Sequence, residues 1–139
     1  MEIGTLLNRP LLRKGNAFQN SSLRTFNLPT LIEMMKHEYT WKSGGLNAMV
    51  LTKSRDKQVV LTALHENTEI ESVQGNGSIT FQIIEGKLKF KSQNESITLD
   101  KGQLLTMRDN IKYSLTNKEE TVFLLTISKD TLQRSKNRK

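Results

Sequence analysis

From residue 47 onward, apolar and polar side chains alternate with a period of two, which is typical of β-strands that bury one face. Segments rich in Gly, Asn, Asp and Ser, which favour tight turns, separate the alternating runs. The pattern predicts nine strands, over residues 47–52, 58–64, 69–74, 79–84, 87–92, 96–99, 104–107, 111–116 and 121–127. Because the links are of hairpin length, neighbouring strands are expected to run antiparallel and to close into a barrel.

One segment before the strands has the apolar spacing of a helix. Apolar side chains recur at helical intervals within residues 31–35, Asn27 can cap the first turn, and Pro29 suits its start. These features predict a short helix over residues 29–38, followed by a Ser-Gly-Gly turn. The residues before the helix show no clear period. We expect an irregular lead-in there, with one short strand near residues 22–26.

Length and composition fit a single domain. The 139 residues can bury one core without disulfides, and the absence of cysteine excludes thiol chemistry and suits a reducing cytoplasm. We expect an N-terminal extension over residues 1–43, a barrel over 44–128 and a basic, disordered tail over 129–139. No apolar run approaches the ~20 residues that cross a bilayer, and no secretory leader is evident. A cytoplasmic protein without a membrane partner is therefore expected.

The net charge of +7 raises the question of nucleic-acid binding. Residues 59–128 carry seven Lys and Arg against nine Asp and Glu, whereas residues 1–58 carry nine against four and residues 129–139 five against one. The excess positive charge therefore lies in the flanks, and the C-terminal segment has the composition of a solvated tail. Because no aromatic side chains alternate with these charges, nucleic acid is not the expected partner.

Two stretches of the predicted strand series resemble the two halves of the cupin signature. Residues 75–86 end in a Glu-Gly turn between two strands, as the first cupin motif does, and residues 87–90 continue as in the family. Residues 99–107 place a glycine before a strand that leads through a turn to residues 111–115, as in the second motif. The resemblance spans about residues 47–128. It implies an all-β, antiparallel cupin-type β-barrel (double-stranded β-helix, or jelly roll) with a short N-terminal helix, similar to small RmlC-like cupins.

The positions that hold metal ligands in cupins carry poor ligands here. Counting from Gly86 places the family's glutamate at Ile79, and counting from Gly102 places the second-motif histidine at Tyr113. The first-motif histidines fall on Ser72 and Gln74 or on Val73 and Gly75, depending on the spacer. A divalent metal needs three or four imidazole or carboxylate donors. The resemblance therefore implies a barrel without metal or other cofactor.

The predicted inner face of the barrel is mostly apolar. If Ile79 points inward, strand alternation places Phe81 and Ile83 inward as well. An apolar lumen with polar groups from Tyr113 and Gln74 suits a small organic molecule, although its own side chains could also fill it. The expected ligand-binding residues are Gln74, Ile79, Phe81, Ile83, Met107 and Tyr113, and neither a catalytic nor a metal-binding residue is expected.

The leading functional expectation is a metal-free module that binds a small organic ligand or acts as a dimeric interaction or sensor domain. Resemblance to small cupins implies a homodimer, formed either by edge-to-edge pairing or by exchange of N-terminal strands, with the residues before about 43 as the exchanged part. The alternative is a divergent cupin isomerase, lyase or dioxygenase-like enzyme that uses Tyr113 with unrecognised partners.

The remaining candidate residues have simpler interpretations. His37 and His65 match no ligand position and are expected to be surface or locally hydrogen-bonded histidines. Trp41 is expected to pack the helix against the barrel mouth. The acidic stretch over residues 65–71 could bind a cation, but alternation favours a solvent-facing position for its carboxylates.

Overall fold

The structure is a computed structural model that describes residues 13–14, 23–71, 77–108 and 111–129. Two helices lie within these ranges, α1 (Leu28–Lys36) and α2 (Tyr39–Ser43). The strands in the same ranges are β1 (Arg13–Lys14), β2 (Leu46–Lys53), β3 (Lys57–Leu64), β4 (Glu69–Glu71), β5 (Ser78–Glu85), β6 (Lys87–Ser92), β7 (Ser96–Asp100), β8 (Leu104–Met107), β9 (Tyr113–Thr116) and β10 (Thr121–Ser128).

These strands form two sheets. The larger sheet has the order β1-β2-β3-β10-β5-β8, and the smaller has the order β4-β9-β6-β7. The described strand pairs are antiparallel, except that β1 runs parallel to β2. Buried side chains from both sheets share one cluster, so the sheets enclose a common core. The prediction of an all-β, antiparallel barrel is confirmed.

The inner core, the apolar cluster between the two sheets, follows from strand alternation. On β5, Phe81 and Ile83 are fully buried in this core, whereas Gln82 between them is exposed. Phe81 lies at the centre, with its ring centroid 4.6 Å from that of Phe90 and 5.4 Å from that of Phe123. The predicted inward direction of Phe81 and Ile83 is confirmed.

The outer cluster, a second apolar cluster, joins the helices to the outer face of the larger sheet. Its helical members are Leu31, Ile32, Met35 and Trp41, and its strand members are Met49, Leu51, Leu61, Ala63 and Val122. Trp41 thus packs α2 against the larger sheet, and it also stacks on His65 directly after β3. The helices cover the outer face of β2, where residues 46–51 are all buried, as expected for a strand covered on both faces.

Hydrogen bonds fix the helices in place. Asn27 Oδ1 accepts a bond of 3.1 Å from Thr30 N, which confirms the predicted cap of α1. Asn47, buried in β2, donates from Nδ2 to the Met35 carbonyl oxygen (3.1 Å) and to Glu38 Oε1 (2.8 Å). One buried amide thus joins the end of α1 and the start of α2 to the sheet.

An ion pair also connects α1 to the barrel. Lys36 Nζ lies 3.2 Å from Glu85 Oε1 and 2.5 Å from Glu120 Oε2. Burial lowers the pKa of Lys36, but the hydrogen bonds to Glu120 and Glu85 and their charges outweigh burial, so that the pKa is raised. Lys36 is therefore a charged link between the helix and the larger sheet.

The Glu-Gly turn of the first motif has a steric reason. Gly86, between β5 and β6, has a φ of +83°, and a Cβ at this position would overlap the backbone of Glu120 and Thr121. Only glycine combines this left-handed conformation with so close an approach. The glycine therefore lets the β5–β6 turn pack against the start of β10.

The N-terminal expectations are partly wrong. Residues 23–26, assigned to a strand, have no regular secondary structure, and β1 lies within the stretch expected to be irregular. The short helix α2 was not predicted, and β9 begins at Tyr113, two residues later than expected. Positions 72–76 and the tail from residue 130, which also carry predictions, lie outside the described residues.

Candidate functional site

A cavity of about 450 Å³, called the end cavity below, opens at one end of the barrel. Strands β7 and β8 border it, and each is the last strand of its sheet. Its volume is in the range of small-molecule pockets. The lining residues are Ser78, Phe90, Ser92, Glu95, Ile97, Leu105, Thr106, Met107, Arg108, Ile111 and Tyr113.

The lining combines an apolar wall with a few polar groups. Six of the lining side chains are aliphatic or aromatic, including the phenol of Tyr113, three are aliphatic alcohols, and two, Glu95 and Arg108, are charged. Ile97 and Ile111 are 43% and 40% exposed, which is unusual for isoleucine. Such a wall suits the apolar part of an organic molecule, and the polar groups can orient it.

The sequence-predicted site residues fall into three groups. Met107 and Tyr113 line the end cavity. Ile79, the strand partner of Met107, packs against the inner core. Phe81 and Ile83 are fully buried in that core and are not among the lining residues, and Gln74 lies outside the described residues.

Tyr113 is the polar group that joins the end cavity to the inner core. The residue is 5% exposed, and its ring makes an edge contact with Phe81 at 6.0 Å between centroids. A second contact, with Phe90, has centroids 5.9 Å apart. Burial raises the pKa of Tyr113 above its usual range, so this residue remains a neutral phenol at physiological pH.

The two charged lining residues come from opposite sheets. Glu95 lies in the β6–β7 turn, which is held by Ser92 N donating to the Glu95 carbonyl oxygen (2.8 Å) and by Glu95 N donating to Ser92 Oγ (3.2 Å). Arg108 directly follows β8. The lining thus places one cation and one carboxylate at the same end of the barrel.

The described ligand positions of the cupin signature do not fit a divalent metal. Ile79 offers an alkyl group and Tyr113 a neutral phenol, and neither His37 nor His65 lines the end cavity. Within the described ranges, no group of three or more His, Asp or Glu side chains could hold a metal ion. In the acidic stretch, Glu69 and Glu71 flank the buried Ile70 and are exposed, as predicted.

Both histidines have local partners, as predicted. His37 Nδ1 lies 2.8 Å from the Glu33 carbonyl oxygen at the exposed end of α1. His65 stacks on Trp41, and its Nε2 lies 2.6 Å from the Trp41 carbonyl oxygen. Because a carbonyl oxygen only accepts, Nε2 carries the proton. These contacts place both side chains in structural roles.

Sequence reasoning missed most of the end cavity. The residues missed are Ser78, Phe90, Ser92, Glu95, Ile97, Leu105, Thr106, Arg108 and Ile111. They lie towards strand ends and in the β6–β7 and β8–β9 links, whereas motif counting points to the strand interiors. Ile97 and Ile111 gave the available signal. Each is an apolar residue close to turn residues, and a turn itself does not require an apolar side chain.

Of the helices that the structure describes, neither α1 nor α2 is long and apolar enough to cross a bilayer.

Solved structures with the same architecture share little sequence with this chain. A cupin superfamily protein from Desulfitobacterium hafniense DCB-2 matches 79% of this chain and 94% of its own, with a TM-score of 0.64 and 17% identity. A double-stranded β-helix protein from Klebsiella pneumoniae matches 78% and 92%, with a TM-score of 0.62 and 18% identity. A cupin-2 domain protein from Shewanella frigidimarina matches 76% and 95%, with a TM-score of 0.59 and 16% identity.

The sequence itself matches no family model and no curated protein. The structural matches are below 25% identity, so they establish architecture and not activity. Together with the two facing antiparallel sheets and the Glu-Gly turn at Gly86, they show that this chain has the cupin fold.

Proposed function

We propose that this protein is a metal-free, non-enzymatic binding module that takes a small organic molecule into the end cavity. The observation that supports this proposal is the lining itself, an apolar wall with a few hydroxyl groups and two charges around about 450 Å³. Concave apolar surfaces with few, well-placed polar groups are the usual form of small-molecule sites.

The chemistry of the lining favours binding over catalysis. General acid–base catalysis at neutral pH works best with groups that titrate near the operating pH. Burial instead moves the pKa of Tyr113 further from neutrality, and neither described histidine lines the end cavity. Tyr113 is therefore suited to donate a hydrogen bond and not to transfer a proton.

The module is also proposed to be a homodimer in which residues before about 43 are exchanged. The extension supports this because it supplies β1 to one edge of the larger sheet and both helices to its outer face. Sedimentation equilibrium should give twice the mass of one chain, and removal of residues 1–14 should give a monomer. Removal of residues 130–139 is the control that keeps the dimer. A single-chain mass for the intact protein at all concentrations contradicts this proposal.

Fluorescence of anilinonaphthalene sulfonate, an apolar anion, tests the ligand site. Ile97 and Thr98 are neighbours on β7, and only Ile97 lines the end cavity. Ile97→Glu should weaken dye binding at least about tenfold, because it places a carboxylate on the apolar wall. Thr98→Glu adds the same charge to the same strand and should change the affinity less than about twofold.

The dye affinities are comparable only if both variants are folded, so their near-UV circular dichroism must match that of the parent. Equal effects of the two substitutions, or no dye binding by the folded parent, would overturn the binding proposal.

A further inference from the structure

We propose that the ligand of the end cavity is a zwitterion with an apolar body, of the type of an apolar α-amino acid, with its carboxylate on Arg108 and its ammonium on Glu95. This inference rests on the proposed function. It goes further by assigning the ligand class and the residues that select it.

The first support is that these two charges have no ion-pair partner among the described residues. The ion pairs within the described ranges join Lys36 to Glu85 and Glu120, and Lys87 to Asp100. The side chains of Arg108 and Glu95 form no ion pair with each other or with another described residue. Each is therefore available to a ligand.

The second support is the placement of the two residues. Arg108 follows β8 in the larger sheet, and Glu95 precedes β7 in the smaller sheet, and both residues line the end cavity. One cation and one carboxylate in the same lining can contact the two opposite charges of a single zwitterion. A guanidinium binds carboxylates well because its parallel N–H groups match the two oxygens.

The third support is the remainder of the lining. Ile97, Leu105, Met107 and Ile111 provide an aliphatic surface, and Phe90 and Tyr113 add aromatic rings. An apolar side chain of the ligand can lie on this surface, which removes it from water. A polar zwitterion without such a side chain would leave the wall uncovered.

Four matched probes separate these contributions. Phenylalanine carries both charges, phenylpropionate only the carboxylate, phenethylamine only the ammonium, and phenylpropanol neither. Their affinities are measured by NMR titration of the full-length protein, followed at the backbone amides of Ser78, Ser92 and Thr106, which line the end cavity. Phenylalanine should bind tightest, and each missing charge should weaken binding by about fivefold.

Two variants assign each charge to its residue. With Arg108→Gln, phenylalanine should bind no better than phenethylamine. With Glu95→Gln, it should bind no better than phenylpropionate.

Equal binding of phenylpropanol and phenylalanine would overturn the zwitterion but leave the small-molecule site intact. Tightest binding of phenylalanine that neither variant changes would also overturn it. A lack of shifts at the end cavity with every probe would instead remove the proposed function itself.

Discussion

The imidazole of His65 lies nearly parallel to the indole of Trp41, with ring centroids 3.5 Å apart and planes inclined by 17°. The two residues belong to different parts of the fold, since Trp41 lies in α2 and His65 follows β3. Their stacking, with the hydrogen bond from His65 Nε2 to the Trp41 carbonyl oxygen, joins the helical extension to the end of the larger sheet.

Replacement of His65 by alanine should therefore destabilise the protein. Loss of the stacked ring and of its hydrogen bond is expected to lower the free energy of unfolding by about 1–2 kcal/mol. Because Trp41 is the only tryptophan, its emission should also shift to the red as water reaches the indole. Urea unfolding followed by tryptophan fluorescence measures both effects.

His37→Ala is the matched control for this prediction. His37 is exposed directly after α1, and its ring bonds only to the nearby Glu33 carbonyl oxygen among the hydrogen bonds of the described residues, so its loss should change the free energy of unfolding by less than about 0.5 kcal/mol. A larger effect of His37→Ala than of His65→Ala would contradict the structural role of the stacked pair.

Tyr113 should make stability depend on alkaline pH. Its pKa is raised in the folded state, so the folded protein retains the phenolic proton at a pH where the unfolded chain, with an ordinary pKa of about 10, has lost it. The stability contributed by this group is therefore present below pH ~10 and decreases as the pH rises above that value. Tyr113→Phe should remove this part of the decline, as measured by urea unfolding between neutral and alkaline pH.

The ionisation of Tyr113 can also be followed by absorbance in a variant that lacks the second tyrosine. Tyr39 is 80% exposed, and Tyr39→Phe leaves Tyr113 as the only phenol. The tyrosinate absorbance of this variant should develop only well above pH ~10 or together with unfolding. Ionisation of the folded variant at or below pH ~10 would show that Tyr113 is not buried as described.

Two buried threonines should respond in opposite ways to replacement by valine. Thr62 and Thr121 are both fully buried, but Thr62 Oγ1 has no hydrogen-bond partner in the described structure. Thr121 Oγ1 lies within hydrogen-bonding distance of the carbonyl oxygens of Lys87 (2.9 Å) and Glu119 (2.8 Å), and its single proton can be donated to either. Thr62→Val should stabilise by about 1 kcal/mol, and Thr121→Val should destabilise by about 1–2 kcal/mol. Chemical unfolding distinguishes these signs, and equal losses would contradict the assignment.

Two glycines give a similar contrast. Gly86→Ala forces a side chain into a left-handed conformation against the backbone of Glu120 and Thr121, so it should cost at least about 2 kcal/mol. At Gly45 an added Cβ would contact no atom within 4 Å, so Gly45→Ala should lower the free energy of unfolding by less than about 0.5 kcal/mol. Thermal unfolding of the two variants tests whether the Glu-Gly turn depends on close packing. A tolerated Gly86→Ala would show that it does not.

Much of the barrel could be predicted because alternation is a local property. The bounds of β6 and β8 agree with the predicted ranges, and Phe81 and Ile83 point inward as alternation requires. Helix α2 was missed because its five residues contain no repeat and no capping side chain. Burial of Trp41 against the sheet favours this helix, and that contact is not visible in the local sequence.

The end cavity could not be predicted for a different reason. It depends on which strands become neighbours, since the sheet order places β8 beside β5 and β9 beside β6. Neither pair is adjacent along the chain. The order brings together Glu95 and Arg108, which local patterns treat as unrelated turn residues. The sequence predictions located Tyr113 and Met107 but not the other lining residues.

The most direct test of the binding proposal is a methyl NMR titration of the parent protein with anilinonaphthalene sulfonate. The methyl groups of Ile97, Leu105, Met107 and Ile111 report on the end cavity, and those of Leu31, Ile32 and Leu61 report on the outer cluster. We expect saturable shifts in the first set and none in the second. Shifts centred on the outer cluster, or none at all, would contradict a ligand site in the end cavity.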